Sequence, residues 1–302
     1  MDQRTTSLVL AGLLLAACSS PTPPPENTGK GTDLVIGGND ASAQTMDLYQ
    51  MPTPNELFHL VREMAGEGQK RMMNPASNVD RYVTLTARAM NFGAYATDMV
   101  YASNFRLRSE VARYYITCKQ LGGELGLDNA FSDADYQRLE HNLAFGDSLE
   151  ILSNEAYSKA YEKMQSDKMG PTLTLVLAGG WVESMHLVMA QVDHFDANDP
   201  LVMRVAEQKA SLDHLLDLME QYKDDPNVGP VRLKFQQLQN VYDQLNVQRV
   251  PHKGKSPSGR MVLGDDITIT MTADKYTELE KALGDLRANM VQGEDVPARS
   301  NS

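Results

Sequence analysis

The chain has 302 residues, with 40 acidic against 28 basic side chains and a formal net charge of −12. An acid surplus of this size disfavours nucleic acid and anionic lipid surfaces as partners. Length and an apolar share of 42% allow one large helical domain or two small ones.

The first element is the apolar run from Ser7 to Ala17, about as long as a signal-peptide core and too short to cross a bilayer as a permanent helix. It ends in Leu15-Ala16-Ala17-Cys18, which resembles the lipobox of bacterial lipoproteins; the flank before it is only weakly basic, with Arg4 against Asp2. The resemblance implies a signal peptide over 1–17, cleaved before Cys18, whose sulfur then carries diacylglycerol and whose amine carries a fatty acid of the palmitate class. Several acyl chains anchor firmly where one holds marginally. Ser19 is similar to what outer-membrane sorting tolerates, so the expected address is the cell envelope, at the outer membrane, with the periplasmic or surface face left open. Cleavage removes one acid and one base, and the mature chain keeps its charge of −12. With Cys18 lipidated, Cys118 has no disulfide partner and is expected to be a buried core thiol. No cofactor is expected beyond the covalent lipid.

Residues 18–50, rich in Pro, Gly, Ser and Thr, read as a flexible tether spanning about 30 Å as a coil. A helical domain over 51–247 follows, in which apolar residues recur three and four apart. The expected helices are 55–67, 78–103, 106–122, 133–166, 172–194, 200–222 and 229–246, separated by Asn74-Pro75, Gly122-Gly123, Gly170-Pro171, Asp199-Pro200 and Asp225-Pro226. Residues 248–292 are expected to pack on the same domain. They comprise a basic loop over 248–260, a small β-hairpin turning at Gly264-Asp265-Asp266, and a last helix over 274–290 capped by Thr272. The end of the chain, 293–302, reads as a disordered tail. The fold class is all-α: a multi-helix bundle or short helical solenoid of about eight helices, with the hairpin before the last one.

Two helices carry glycine in their interiors, at Gly93 and at Gly179-Gly180, where it costs about 1 kcal/mol relative to alanine. That cost points to close helix crossing. Aligning Gly93 with Gly179 pairs Tyr95 with Trp181 and Met99 with Met185, a short match that suggests two antiparallel helical halves packed through the glycines.

Several strings imitate active sites. Gly146-Asp147-Ser148-Leu149 spells the motif of the GDSL esterases, but its flanks are helical and no histidine has an aspartate three positions before it, so the serine lacks its base. Glu-x-x-His occurs twice, at Glu56 and His59 and at Glu183 and His186, the spacing used in ferritin-like di-iron bundles. The bridging glutamates of such a site cannot be picked out, so no metal set is assigned, and Glu183 and His186 stand as weak candidates. Tyr95, Trp181, Met185 and Met189 could line an interhelical pocket for an apolar or amphipathic ligand.

No catalytic residue is assigned. The leading expectation is a non-enzymatic interaction or scaffold module with a protein partner in the envelope. A ligand-binding protein is the alternative, and a ferritin-like metal enzyme the third.

Overall fold

The computed structural model describes residues 69–128, 132–142, 146–251 and 265–293. The expected signal peptide, Cys18, the tether, the helix at 55–67 with Glu56 and His59, most of the basic loop and the expected tail after Gly293 lie outside the described residues.

The described chain is an all-α bundle. Two 3₁₀ turns, Lys70–Met72 and Ala76–Arg81, precede nine α-helices: α1 (Leu85–Asn104), α2 (Arg108–Glu124), α3 (Asp133–Asn142), α4 (Gly146–Ser166), α5 (Gly170–Met189), α6 (Pro200–Glu207), α7 (Lys209–Glu220), α8 (Val228–Tyr242) and α9 (Ala273–Gln292). Two antiparallel strands, β1 (Asn246–Pro251) and β2 (Asp265–Thr270), lie between α8 and α9. Helix α5 is the hub, packing against α1, α4, α6, α7, α8 and α9. A solenoid repeat touches only its neighbours, so the architecture is a bundle and not a solenoid. By length and composition α5 could cross a membrane, yet 89% of its apolar window is buried inside the domain.

Local chemistry explains the helix ends. Thr84 accepts a hydrogen bond from the Ala87 amide at the start of α1, Asp199 accepts one from Leu201 at the start of α6, and Thr272 caps α9 through the Lys275 amide. Pro171 and Pro200 sit in first turns, where a missing amide hydrogen costs nothing. Helix α1 ends in a Schellman motif, with the Leu107 amide on the Ala102 carbonyl at 2.8 Å and Arg106 left-handed at φ 56°. Lys168 does the same after α4, at φ 57°.

Several sequence expectations need correction. The helix expected over 78–103 is a 3₁₀ turn and then α1, because the Thr84 cap restarts the chain. The helix over 133–166 is two, α3 and α4, and that over 200–222 is also two, α6 and α7, with Gln208 shared between them. The hairpin is wider than expected: residues 246–251, read as helix end and loop, form β1, and Asp265 and Asp266 pair with Pro251 and Val250 within the ladder.

The glycine helices cross as closely as their composition implies. A Cβ on Gly179 would lie 1.9 Å from the Met90 carbonyl oxygen, and one on Gly93 would lie 2.0 Å from that of Val176. The direction differs from expectation. Met90 meets Gly179, Thr97 meets Gly180 and Tyr101 meets Gln191, so α1 and α5 run parallel, with the intervening helices returning the chain.

Candidate functional site

Where α1, α5 and α9 meet, the bundle has a polar centre. Helix α1 is buried on every side over residues 89–104, and there Asp98 lies beside Met99 and one turn from Tyr95 and Ala102, all four without exposure. Glu183 on α5 is equally buried. Arg287 reaches in from α9 and grips it with both arms of the guanidinium, Nη2 to Oε1 at 2.6 Å and Nε to Oε2 at 2.8 Å. The fork matches a carboxylate, which is why arginine serves here better than lysine. Arg287 Nη2 also donates to the Met72 carbonyl at 3.1 Å. His186, one turn beyond Glu183, places Nε2 3.1 Å from that same oxygen.

Around this pair runs a chain of neutral hydrogen bonds. The Asn74 amide donates to Asp98 Oδ2 at 3.0 Å, and its side chain donates to the Tyr82 hydroxyl and to Asn91 Oδ1. Asn91 donates to the Met290 carbonyl at 2.9 Å, Tyr82 to that of Val291 at 3.1 Å, and Tyr114 to that of Asn74 at 2.8 Å. The Tyr95 ring lies between those of Tyr82 and Tyr114, and its hydroxyl donates to the Pro75 carbonyl. These bonds stitch the segment before α1 and the end of α9 onto the core.

The electrostatics follow from burial. Burial, and then the neighbouring Glu183 charge, hold the Asp98 carboxyl well above the usual range, against the weaker pull of Arg287. Burial lowers His186, Arg287 lowers it further, and Glu183 opposes them, so its imidazole is neutral at pH 7. Burial raises the hydroxyls of Tyr82, Tyr95 and Tyr114, which remain protonated. Cys118 on α2 is fully buried and its thiol is pushed up by burial, the setting of an inert core cysteine.

The structure distributes the sequence candidates. Glu183 and His186 share a face of α5, but one is occupied by Arg287 and the other by a backbone carbonyl. Among the described residues no three His, Cys, Asp or Glu side chains converge as a metal group. Tyr95 joins the tyrosine stack, whereas Trp181 faces α8 with its ring 5.9 Å from Phe235. Met185 and Met189 are buried in the core, and the Met189 carbonyl accepts from Tyr276. None of the four lines the grooves along α9. One of these, of 440 Å³ between α8 and α9, is lined by Lys234, Leu238, Glu278, Lys281 and Asp285 among others, and a neighbour of 200 Å³ reaches Thr86 and Gly293. Sequence reasoning missed Asp98, Arg287, Asn74 and Asn91; the legible signal was the lone acid in the otherwise uncharged stretch Tyr95-Ala96-Thr97-Asp98-Met99-Val100.

Comparison of the chain with family models, with curated proteins and with solved structures yields no match.

Proposed function

We propose that the chain is an envelope lipoprotein, anchored through Cys18 at the outer membrane, that works as a non-enzymatic interaction module for a protein partner. The observation that carries this reading is the internal employment of its reactive side chains. Asp98, Glu183, Arg287 and Cys118 are consumed by the core, and His186 is bound to it. Among the described residues the outer surface offers a partner Leu233, 61% exposed on α8 one turn before Gln237, a residue of the α8–α9 groove. The lipobox-like Leu15-Ala16-Ala17-Cys18 supports the anchor. Crosslinking of the full-length protein in its native membrane, followed by mass spectrometry, tests the module. One reproducible protein partner, lost in Leu233→Glu while membrane attachment persists, is expected; a competent experiment without a partner would contradict the reading.

A second reading has one observation in its favour. Trp181 Nε1–H is buried and donates to no group among the described residues, an arrangement that costs about 1–3 kcal/mol unless something accepts the bond. An apolar ligand with one acceptor, held beside Trp181 and Met185, would supply it. Trp181 is the chain's one tryptophan, so a fluorescence change on extraction with organic solvent, together with a recovered small molecule, would establish this reading.

A further inference from the structure

We propose that Asp98 keeps a proton that it donates to Glu183, and that this proton makes the C-terminal helix α9 a pH-sensitive latch over the polar centre of the bundle. The geometry demands the proton. Two carboxyls without exposure share a site that contains one guanidinium, and Arg287 spends its bidentate contact on Glu183. Asp98 Oδ2 accepts the Asn74 amide, Oδ1 is buried with no donor among the described residues, and the Glu183 side chain lies within hydrogen-bonding reach of the Asp98 carboxyl. Two bare carboxylates there would leave a net buried charge of −1. A proton on Asp98 Oδ1, donated to Glu183, satisfies the orphan oxygen and brings the triad to neutrality.

The charged and titratable groups around Asp98 leave no other source of neutrality. Helix α5 presents Glu183 and His186, and α9 presents Arg287. Helix α1 adds Tyr95 and Tyr101, the preceding segment Tyr82, and α2 Tyr114 and Cys118. The tyrosines and the thiol are protonated, His186 is neutral, and among the described residues around Asp98 Arg287 is the one cation.

Helix α9 is the element that can respond. Helices α1 and α5 interlock at Gly93 and Gly179 through rigid backbone. Helix α9 covers the polar centre through Arg287 and through the Met290 and Val291 carbonyls, and is joined to α8 through the two-stranded hairpin. When Asp98 loses its proton, water can reach the uncompensated charge only if a covering element lifts.

Opened Asp98 gives up its proton near pH 4, so opening releases a proton. The opening constant therefore rises about tenfold per pH unit above that value, until Asp98 ionises in place. His186 works in the opposite sense: buried neutral, it takes up a proton on opening below about pH 6.5. The two slopes offset each other in mild acid, and that of Asp98 stands alone above about pH 6.5.

The experiment uses the full-length protein in mild detergent, with amide hydrogen exchange over 273–292 corrected for intrinsic rates, in wild type and Asp98→Asn. The ratio of wild-type to variant opening should rise about tenfold per pH unit from about pH 5 upward. A ratio independent of pH, or exchange in α9 no more responsive than in α5, would overturn the latch. Infrared spectra of wild type carrying ¹³C-carboxyl aspartate keep the test independent of the variant's folding. A protonated aspartic acid band at pH 7 is expected, and its absence would overturn the proton on Asp98.

Discussion

Replacing Gly179 with alanine is the sharpest probe of the packing. The added Cβ would fall 1.9 Å from the Met90 carbonyl oxygen, 2.5 Å from its carbonyl carbon and 2.7 Å from its Cα. All three atoms are backbone, so no rotamer change relieves the contact. Ordinary carbon–oxygen approach is about 3.3–3.6 Å, and α1 and α5 would have to part by more than about 1 Å. The opened interface loses dispersion along its length. Over-packing against rigid backbone costs about 3 kcal/mol, alanine's helix propensity returns about 1, and the net loss is about 2 kcal/mol. For a domain of this size that lowers the melting temperature by about 4–8 °C. Gly284 on α9 is the control, because a Cβ there meets nothing within 4 Å. Gly284→Ala should raise stability by about 0.5–1 kcal/mol. Urea unfolding followed by helical circular dichroism and by Trp181 emission gives both numbers. An unchanged midpoint in Gly179→Ala would refute the close-crossing argument.

The remaining predictions concern the polar centre and two helix ends. Arg287→Met leaves Glu183 as an uncompensated buried charge and should cost about 3–5 kcal/mol, whereas the double variant Glu183→Met with Arg287→Met should recover much of the loss; additive losses would show that the pair is not coupled. Arg106→Gly and Lys168→Gly each relieve a left-handed residue at a Schellman cap. Relief of about 1–2 kcal/mol is partly cancelled by the entropy of glycine in the unfolded chain, so each should raise the urea midpoint by about 0.5 kcal/mol equivalent. A lowered midpoint would mean that the basic side chains contribute more at those helix ends than the strain costs.

Periodicity made the all-α class, the last helix and its Thr272 cap legible, because these rest on local pattern. The close crossing was legible too, since glycine persists inside a good helix chiefly where a neighbouring backbone leaves no room for a side chain. Boundaries failed where a competing interaction is local but silent in the pattern. Arg81, Tyr82 and Val83 continue the helical repeat into α1, yet the Thr84 hydroxyl holds Thr84 extended and restarts the chain. Strand β1 was hidden because its partner begins only at Asp265, so its pairing depends on contacts remote in sequence. The polar centre was half legible. Glu183 and His186 stood out by spacing, but Arg287, 104 positions from Glu183, is joined to it only by the fold. Parallel α1 and α5 could not be read from the glycine alignment, which matches residue types and carries no direction.

The most direct test of the account is the chemistry of Cys18 in protein purified from its native cells. Intact-mass and peptide analysis should find a chain that starts at Cys18, with diacylglycerol on its sulfur and a fatty acid on its amine. Cys18→Ser should lose both groups and leave the membrane on mild washing. An unmodified Cys18 inside a peptide that still carries Ala16 and Ala17 would contradict the anchor, and with it the proposal that this bundle works as a tethered module.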